Sequence, residues 1–385
     1  MKKKIAILGS TGSIGKTLIR ILSKDKKNIK ITLLTANTDY KTLFKQAKIF
    51  NVKNLIITDP KTFNFLKKNK KYRNLKIFNN FKCFKKIFLS KNDYIMSSIV
   101  GLQGLNPTIK SIKFTNKILI ANKESIICGW NLIQKELKKY KTDFIPIDSE
   151  HFSIWSLLNN NSVKNVEKIY ITASGGPFFN RKLKELICVK PSEAIKHPKW
   201  SMGKKISIDS ATLMNKVFEV IEAKKIFNLP YSKIKILIHR ESYLHAIVKF
   251  SNGITKLLIH DTSMSIPIFN SIYENKKFKS KEIDFFKLNK LSLMNVNKKR
   301  FPLTKIINML PNYSSMFETV LISANDELVN LFLQNRITFN QISTYIIKIL
   351  NMNDFKRYKL IKVKNINEIL RLSKIVRFKI RSLCV

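Results

Sequence analysis

The sequence predicts an α/β protein with an N-terminal Rossmann-like parallel sheet, a central α/β domain and a small C-terminal helical domain. Three observations support this prediction. Strand-like and helix-like segments alternate up to residue 148, which is typical of a parallel, doubly wound sheet. A glycine-rich turn directly follows the first strand. From residue 311 onwards, apolar residues recur with the period of a helix.

The chain of 385 residues is long enough for two or three domains. We expect the first domain to span 1–148 and the second 149–285. The segment 286–310 reads as a connector, and 311–385 as the C-terminal helical domain.

The composition is strongly basic: Lys and Arg total 72, Asp and Glu total 25, and the formal net charge is +47. The lysines are spread along the chain among many Ile, Asn and Phe residues, which favours a drift towards AT-rich codons over a functional surface for nucleic acid. The cysteines form no CxxC pair, so neither a zinc site nor a disulfide framework is predicted. No apolar run suits a signal peptide or a membrane span. We therefore expect a cytoplasmic protein with no specific nucleic-acid partner and no membrane partner.

The first element is a buried strand, Ile5 to Leu8, followed by the turn GSTGSIG (9–15) and a helix from about Ile14. Glycines at this spacing permit a tight strand-to-helix turn and let the backbone approach a pyrophosphate. The turn's position between a strand and a helix favours a dinucleotide site; the alternative is an ordinary structural turn.

The second strand, in IKITLLTANTDY (29–40), bears on which dinucleotide binds. A cofactor without a 2′-phosphate is usually held by an acid at the end of this strand. Here Asn37 and Thr38 follow the strand, and Asp39 comes late. The missing acid favours NADP over NAD, although no Lys or Arg stands there to meet the 2′-phosphate.

Later strands of the first domain lead into NKES (122–125) and DSEH (148–151). Ligands bind at the carboxyl ends of strands in such sheets, so both motifs are placed for binding. If the chain is still extended at 148–150, Asp148 and Glu150 point to one side and suit Mg²⁺ or Mn²⁺. The alternative is that Asp148 caps a helix in whose first turn Glu150 lies.

Two segments of the second domain, 170–180 and 196–227, contain candidate functional residues. SGGP (174–177) fits an anion site or an ordinary turn. HPKWSMGKK (197–205) reads as a loop, and its exposed Trp200 suggests a lid over a ligand. DSATLMNKVFEVIEAKKIF (209–227) reads as one helix capped by Asp209 or Ser210. Within it Lys216 and Glu219 share a face, which by spacing alone favours a surface ion pair.

At this point the motifs together resemble a known family. GSTGSIG, ANKES, IDSEH, ASGGPF, HPKWSMGKKISIDSATLMNK, HAIV and SANDE occur in the order and over the length typical of 1-deoxy-D-xylulose 5-phosphate reductoisomerase, an enzyme of the non-mevalonate isoprenoid pathway. The block 196–219 is the most specific part of the resemblance.

The resemblance implies a central catalytic domain in which three carboxylates bind one divalent ion, Mg²⁺ or Mn²⁺. These would be Asp148, Glu150 and Glu219, and the ion would act as a Lewis acid on a chelated ketone and hydroxyl. The implied catalytic residues are these three and Lys123.

The resemblance also implies the residues that bind substrate and cofactor. The implied substrate residues are Lys123, Ser149, Glu150, Ser174, His197, Ser210, Asn215, Lys216 and Glu219, with Trp200 and Met202 in the lid. The implied NADPH residues are Thr11, Gly12, Ser13, Ile14, Asn37, Thr38, Asn122 and Gly203.

The implied reaction rearranges 1-deoxy-D-xylulose 5-phosphate and reduces the resulting aldehyde with NADPH to 2-C-methyl-D-erythritol 4-phosphate. The substrate is thus a small sugar phosphate, and the implied assembly is a homodimer. An edge strand of the segment 234–261, with its SNG hairpin turn, could pair with a second copy.

The sequence departs from the family pattern at Asn37-Thr38-Asp39, at VGLQGL (100–105), where Gln103 could intrude on the cofactor cleft, and at HRES (239–242), where a Pro usually follows the His. The presumed metal ligands are unaffected. Two other classes stay open: another NADP-dependent oxidoreductase, which would not need Glu219, and a basic nucleic-acid-binding protein with salt-sensitive binding.

Overall fold

The computed structural model describes residues 2–69, 75–158, 162–200 and 202–384. Its strands, in chain order, are β1 (Lys3–Leu8), β2 (Ile29–Ala36), β3 (Asn54–Ile57), β4 (Lys76–Phe78), β5 (Asn92–Ser97), β6 (Thr115–Ile120), β7 (Asp143–Pro146), β8 (Val166–Ala173), β9 (Ile234–Ile238), β10 (Leu244–Phe250), β11 (Thr255–Ile259) and β12 (Met294–Asn295).

The α-helices are α1 (Ser13–Ser23), α2 (Tyr40–Phe50), α3 (Pro60–Lys68), α4 (Phe84–Ile87), α5 (Leu105–Ser111), α6 (Lys123–Tyr140), α7 (Ser149–Leu157), α8 (Pro191–Ala194), α9 (Lys204–Ala211), α10 (Met214–Phe227), α11 (Ser265–Asn270), α12 (Phe285–Asn289), α13 (Phe317–Leu333), α14 (Phe339–Asn351), α15 (Asn353–Lys356) and α16 (Ile366–Cys384). Among the helices in the described ranges, none is both long enough and apolar enough to span a membrane.

The chain folds into two compact units. The first comprises residues 1–125, 132–148 and 264–279, and the second comprises 126–131, 149–263 and 280–385. Each unit is built on its own sheet. The predicted Rossmann-like parallel sheet is confirmed in the first unit.

The first unit contains a seven-stranded sheet in the order β4-β3-β2-β1-β5-β6-β7, with all neighbours parallel. The strand order reverses at β1, which pairs with β2 on one side and β5 on the other. In open α/β sheets this reversal opens a crevice at the carboxyl ends of the strands, where ligands bind. The glycine-rich turn after β1 lies at that crevice.

A later segment of the chain completes the first unit. Lys3 Nζ and the Tyr94 hydroxyl both donate hydrogen bonds to the carbonyl of Ile272, at 3.2 and 3.3 Å. Lys117 and Glu274 form an ion pair at 3.0 Å. The segment 264–279 therefore belongs to the first unit although more than 100 residues of the second unit precede it in sequence.

The second unit contains a mixed sheet in the order β11-β10-β8-β9-β12. Strands β10 and β11 form the antiparallel hairpin that the SNG turn predicts, and Gly253 takes the positive φ of +85° in that turn. Helices α7 and α10 contribute Ile154 and Val220 to the core of this unit, together with apolar residues of β8 to β10. Helix α13 is buried along its length, and the region after 311 is helical as predicted.

The prediction of one helix over 209–227 capped by Asp209 or Ser210 is wrong. Helix α9 ends at Ala211, and α10 begins after Leu213, which has a positive φ of +59°. The Asp209 carboxylate does not cap a helix but accepts hydrogen bonds from Lys205 Nζ at 3.1 Å and Asn325 Nδ2 at 2.7 Å. Asp209 therefore lies inside α9, bound to one partner on the same helix and to another on α13.

The glycine turn after β1 has no room for side chains at two positions. Gly9 has a φ of +83°, and a Cβ there would lie 2.9 Å from the backbone of Ser98 after β5. A Cβ on Gly15 would lie 2.4 Å from the Gly9 carbonyl oxygen. These two glycines therefore let the turn pack against β5 and α1 start close to the sheet.

We expect Gly15→Ala to lower the free energy of unfolding by about 1–3 kcal/mol, because the added methyl group meets rigid backbone. Lys16→Ala is the control, because Lys16 is exposed on the same helix α1, and its unfolding should be close to that of the wild type. Urea unfolding of the full chain measures both. A Gly15→Ala protein as stable as the control would show that the turn can relax.

Candidate active site

The predicted dinucleotide residues Thr11, Gly12, Ser13 and Ile14 lie in the turn after β1 and at the start of α1, exposed or half-buried. Gly12 is the N-cap of α1, and no side chain caps this helix. The first backbone N–H groups of an α-helix have no partner within the helix and carry a partial positive charge. This end of α1 is therefore suited to a diphosphate.

The three residues after β2 have different roles in the structure. Asn37 and Thr38 are exposed, and the Asn37 side chain accepts a hydrogen bond from the Thr58 hydroxyl at 2.9 Å. Asp39 caps α2 by accepting a hydrogen bond from the backbone N–H of Thr42 at 3.0 Å. The late acid of this motif thus stabilises a helix.

Asn122, at the end of β6, is buried and connects two loops. Its side-chain oxygen accepts from Ser125 N at 2.7 Å and caps α6, while its amide nitrogen donates to the carbonyls of Ile99 and, at 2.9 Å, Gly101. A Cβ on Gly104 would collide with this amide at 2.2 Å. Asn122 therefore fixes the loop after β5 at the carboxyl edge of the sheet.

Lys123 and Asp148 lie in the first unit. Lys123 Nζ donates to Asp148 Oδ2 at 3.2 Å, and Lys123 is buried while Asp148 is half-buried. Asp148 is joined directly to Ser149, the first residue of α7. The condition that 148–150 be extended is thus not met: the helix begins at Ser149, and Glu150 lies in its first turn.

In the second unit, Lys216 connects the two other predicted acids. Its ammonium donates to Glu150 Oε1 and, at 2.6 Å, to Glu219 Oε2. All three side chains are buried. The interpretation of Lys216 and Glu219 as a surface pair is therefore wrong. Two carboxylates and one ammonium leave a net charge of −1 in a place shielded from water, where charge is costly.

Neighbouring groups hold these carboxylates in position. Ser149 Oγ donates to Glu150 Oε2, and Asn215 Nδ2 donates to Glu219 Oε1. The fully buried His151 contacts the backbone carbonyl of Glu219 through Nε2, at 2.9 Å, and so joins α7 to α10. Both oxygens of each carboxylate are engaged, which fixes their orientation.

Ser174 and His197 form a second polar corner in the same unit. His197 Nδ1 accepts from the backbone N–H groups of Lys199, at 3.1 Å, and Trp200, at 2.9 Å. Burial, with the positive charges of Lys216 and Arg240, lowers the pKa of His197 to about 4. The imidazole is therefore neutral at pH 7 with its proton on Nε2, since Nδ1 is an acceptor.

The tautomer of His197 determines which atoms donate and which accept around Ser174. His197 Nε2–H donates to Ser174 Oγ at 3.0 Å, and Gly176 N–H donates to the same oxygen at 3.1 Å. With two hydrogen bonds accepted, the hydroxyl hydrogen of Ser174 is left to donate. It suits an anion, because a phosphate oxygen can only accept from it.

The remaining predicted residues lie around this corner. Ser210 is half-buried in α9, and a Cβ on Gly176 would lie 3.0 Å from its carbonyl oxygen. Trp200 is half-buried rather than exposed, and its ring meets His245 edge-on at 6.0 Å. Met202 is half-buried, and Gly203 is the exposed N-cap of α9, whereas Ser201 lies outside the described residues. The loop ends earlier than predicted, because α9 begins at Lys204.

Sequence reasoning missed two contributors. His151 stands in the DSEH motif, but its long-range partner, the Glu219 carbonyl, has no local signature. Arg240 stands in the HRES segment, which departs from the family pattern, and its guanidinium donates to the carbonyls of Ser174 and Gly176.

Comparison with known proteins gives a consistent result. The family model for 1-deoxy-D-xylulose 5-phosphate reductoisomerase matches residues 5–129, that for its C-terminal domain matches 144–227, and a model described as the DXP reductoisomerase C-terminal domain matches 260–379. The chain is 60% identical to 1-deoxy-D-xylulose 5-phosphate reductoisomerase of Pelagibacter ubique (strain HTCC1062), with 100% of both chains covered. It is 39% identical to the Wolbachia pipientis wMel enzyme, with 88% of each covered.

Solved structures agree with these sequence matches. The reductoisomerase from Zymomonas mobilis in complex with NADPH is 28% identical, with a TM-score of 0.87 over 100% of this chain and 99% of that chain. A DOX-P reductoisomerase in complex with NADPH, fosmidomycin and magnesium is 27% identical, with a TM-score of 0.90 over 99% and 98% of the two chains.

The lowered pKa of His197 predicts a contribution to acid instability. As pH falls from 6.5 towards about 4, the unfolded chain binds a proton on His197 before the folded protein does, so the free energy of unfolding decreases. His197→Asn should reduce this slope by up to about 1.4 kcal/mol per pH unit, the value for one proton. Urea unfolding between pH 7 and pH 4 measures it.

The control for this titration is Lys196→Gln, which alters an exposed neighbouring residue. It should leave the slope unchanged. An equal slope in His197→Asn and the wild type would mean that folding does not lower the pKa of His197.

Proposed function

Because this chain belongs to the 1-deoxy-D-xylulose 5-phosphate reductoisomerase family, we propose a role in that reaction for each residue of the site. The chain is an NADPH-dependent and divalent-metal-dependent enzyme that converts 1-deoxy-D-xylulose 5-phosphate to 2-C-methyl-D-erythritol 4-phosphate in isoprenoid precursor biosynthesis. The observation that carries the assignment of residues is the buried Glu150–Lys216–Glu219 cluster.

Asp148, Glu150 and Glu219 are the proposed ligands of Mg²⁺ or Mn²⁺. The cluster of Glu150, Glu219 and Lys216 has a net charge of −1, and carboxylate oxygens are the donors that these hard cations prefer. Asp148 and Glu150 are two residues apart, so the chain keeps their Cα atoms within about 7 Å. When bound, the ion supplies Lewis-acid polarisation and NADPH supplies hydride.

Lys123 and Asn215 are the proposed partners of the reacting oxygens, with Ser149 between the two acids. Lys123 lies against Asp148 at 3.2 Å and Asn215 donates to Glu219, so each is already beside a proposed metal ligand. Their N–H groups can orient substrate hydroxyls for the rearrangement.

The substrate phosphate is the proposed ligand of Ser174, His197, Ser210 and Lys216. The Ser174 hydroxyl has its hydrogen left to donate, and neutral His197 keeps it so. Lys216 is close enough to His197 to lower its pKa. The Lys216 ammonium contacts the carboxylates and acts on the Ser174–His197 corner, which we call the phosphate corner. It can therefore interact with both ends of one small substrate.

The proposed NADPH contacts are Thr11, Gly12, Ser13 and Ile14 at the uncapped start of α1, Asn37 and Thr38 after β2, Asn122 before α6, and Gly203 before α9. Trp200 and Met202 are proposed to close over the substrate as a lid that excludes water. The Trp200 ring is held by the edge-on contact with His245, so the lid has a defined resting place.

We also propose that the chain has four functional parts: a cofactor domain (1–148), a catalytic domain (149–285), a connector (286–310) and a C-terminal helical domain (311–385). A cytoplasmic location is also proposed, because a sugar phosphate and NADPH carry charges that do not cross membranes unaided.

A homodimer is proposed through strand β11. This strand is at the end of its sheet. Its Leu257 is 48% exposed, and Ile254, just before the strand, is 54% exposed. An exposed apolar edge strand can pair with a second copy of itself about a two-fold axis. Such pairing would cover these side chains and satisfy the free edge of the sheet.

The metal assignment predicts the effect of Glu219→Gln. Loss of one buried carboxylate should lower metal-dependent NADPH oxidation with 1-deoxy-D-xylulose 5-phosphate on the order of 100-fold or more, since Lewis-acid stabilisation is worth several kcal/mol. It should also weaken Mn²⁺ binding, measured by electron paramagnetic resonance, while NADPH binding stays unchanged. EDTA should abolish the oxidation by the wild type.

Glu167→Gln is the matched control, because Glu167 is exposed and pairs with Lys249 on the surface. It should behave as the wild type. If Glu219→Gln binds Mn²⁺ and oxidises NADPH as the control does, Glu219 is not a metal ligand.

The dimer proposal predicts that Leu257→Lys shifts the protein towards monomer, because a charge would be buried at the centre of the paired edges. Sedimentation velocity measures the change. Leu360→Lys, the same substitution at an exposed leucine outside the sheet, should leave the assembly intact. A wild-type chain that sediments as a monomer would rule the proposal out.

A further inference from the structure

The turn between β9 and β10, residues 239–242, contacts both loops that form the phosphate corner. Arg240 Nη1 donates to the carbonyls of Ser174 and, at 3.2 Å, Gly176. The next residue, Glu241, forms an ion pair with Lys199 at 2.8 Å. Two adjacent side chains of one turn thus hold the loop 174–176 and the segment that carries His197.

The loop 174–176 needs such a partner. Gly175 and Gly176 both have positive φ, +80° and +69°. Glycine has more backbone freedom to lose on ordering than any other residue, so two in succession make an intrinsically mobile loop. The position of the Ser174 hydroxyl depends on how this loop is held.

Arg240 is shaped to hold it. Its guanidinium lies 4.6 Å from the centroid of the Phe179 ring, and a Cβ on Gly175 would lie 3.3 Å from Nη1. The guanidinium lies over the Phe179 ring, and Nη1 reaches both carbonyls from there. A lysine ammonium has neither the planar fork nor the stacking surface to reproduce this arrangement.

Glu241 acts on the other half of the corner. Lys199 N–H donates to His197 Nδ1 at 3.1 Å, and the Lys199 side chain is held by Glu241. That backbone contact keeps the His197 proton on Nε2, directed at Ser174. The ion pair is about one-third exposed on each side, so its effect is small.

We propose that Arg240 is a positioning residue for the phosphate monoester of the substrate, acting by clamping the loop 174–176, and that Glu241 supports it through Lys199. This proposal rests on the proposed function, because it deepens the assignment of Ser174 and His197 to the phosphate. Arg240 acts through the loop, and its engaged Nη1 is directed at backbone carbonyls.

The test measures inorganic phosphate binding to the full-length variants by isothermal titration calorimetry. A salt concentration of about 0.15 M screens non-specific attraction to the basic surface. Arg240→Ala and Arg240→Lys should both weaken phosphate binding about 10-fold, the equivalent of about 1.4 kcal/mol. Glu241→Gln should weaken it about 2-fold to 3-fold. NADPH affinity should be unchanged in every variant, which also shows that each is folded.

Lys249→Ala is the control, because it removes one positive charge from β10 at an exposed ion pair with Glu167. It should change phosphate affinity less than about 2-fold. In turnover assays, the Arg240 variants should raise KM for 1-deoxy-D-xylulose 5-phosphate about 10-fold with kcat changed less than about 3-fold.

Two results would overturn the proposal: wild-type phosphate affinity in Arg240→Ala, or wild-type affinity in Arg240→Lys, which would mean that charge alone matters. If Arg240→Ala does not fold, Arg240→Lys decides. The proposed function is judged separately by wild-type turnover of 1-deoxy-D-xylulose 5-phosphate, so its failure cannot be confused with a failure of the phosphate-binding test.

Discussion

The arrangement of the second unit depends on keeping two carboxylates buried beside one ammonium. Removing Glu150, Glu219 and Lys216 from water is unfavourable unless each charge is surrounded by partners. The surroundings provide them: the Ser149 hydroxyl and Asn215 amide each donate to a carboxylate, and His151 fixes the helix backbone behind Glu219. Helices α7 and α10 are therefore joined by polar contacts in addition to the apolar contacts that each makes in the core of this unit.

The pairing of hydrogen-bond donors with acceptors also determines what the phosphate corner can bind. A neutral imidazole whose Nδ1 is occupied by two backbone amides can present only one proton, and Ser174 receives it. Because Ser174 also accepts from Gly176, its own hydrogen is left to donate. The proposed phosphate site thus consists largely of neutral dipoles, with Lys216 and Arg240 as nearby charges. Dipoles fixed in advance need not reorganise when the ligand arrives.

Much of this could be predicted from sequence because the signals are local. The β1 turn and α1, and the hairpin at Gly253, follow from glycine spacing and strand patterns within about ten residues. The break at Leu213 could not be predicted, since leucine seldom adopts positive φ and no neighbouring residue marks it. Asp209 looked like a cap because its true partner, Asn325, lies on α13, 116 residues away.

The site shows the same division. The acids and Lys123 stand in motifs, so the sequence alone could name them as candidates. The contact of Lys216 with both carboxylates and that of Arg240 with two carbonyls depend on tertiary packing, and the spacing of Lys216 and Glu219 alone pointed to the surface.

The return of residues 264–279 to the first unit has a consequence for biosynthesis. The ribosome delivers β1 and β5 early, but the Ile272 carbonyl that Lys3 and Tyr94 bind is made only after β8 to β11. During translation the N-terminal sheet therefore lacks its contacts with residues 264–279 until most of the second sheet has been synthesised. Long-range closure of this kind is slow and leaves apolar surface exposed to other chains. Completion of the first unit is consequently tied to the synthesis of most of the second unit's sheet.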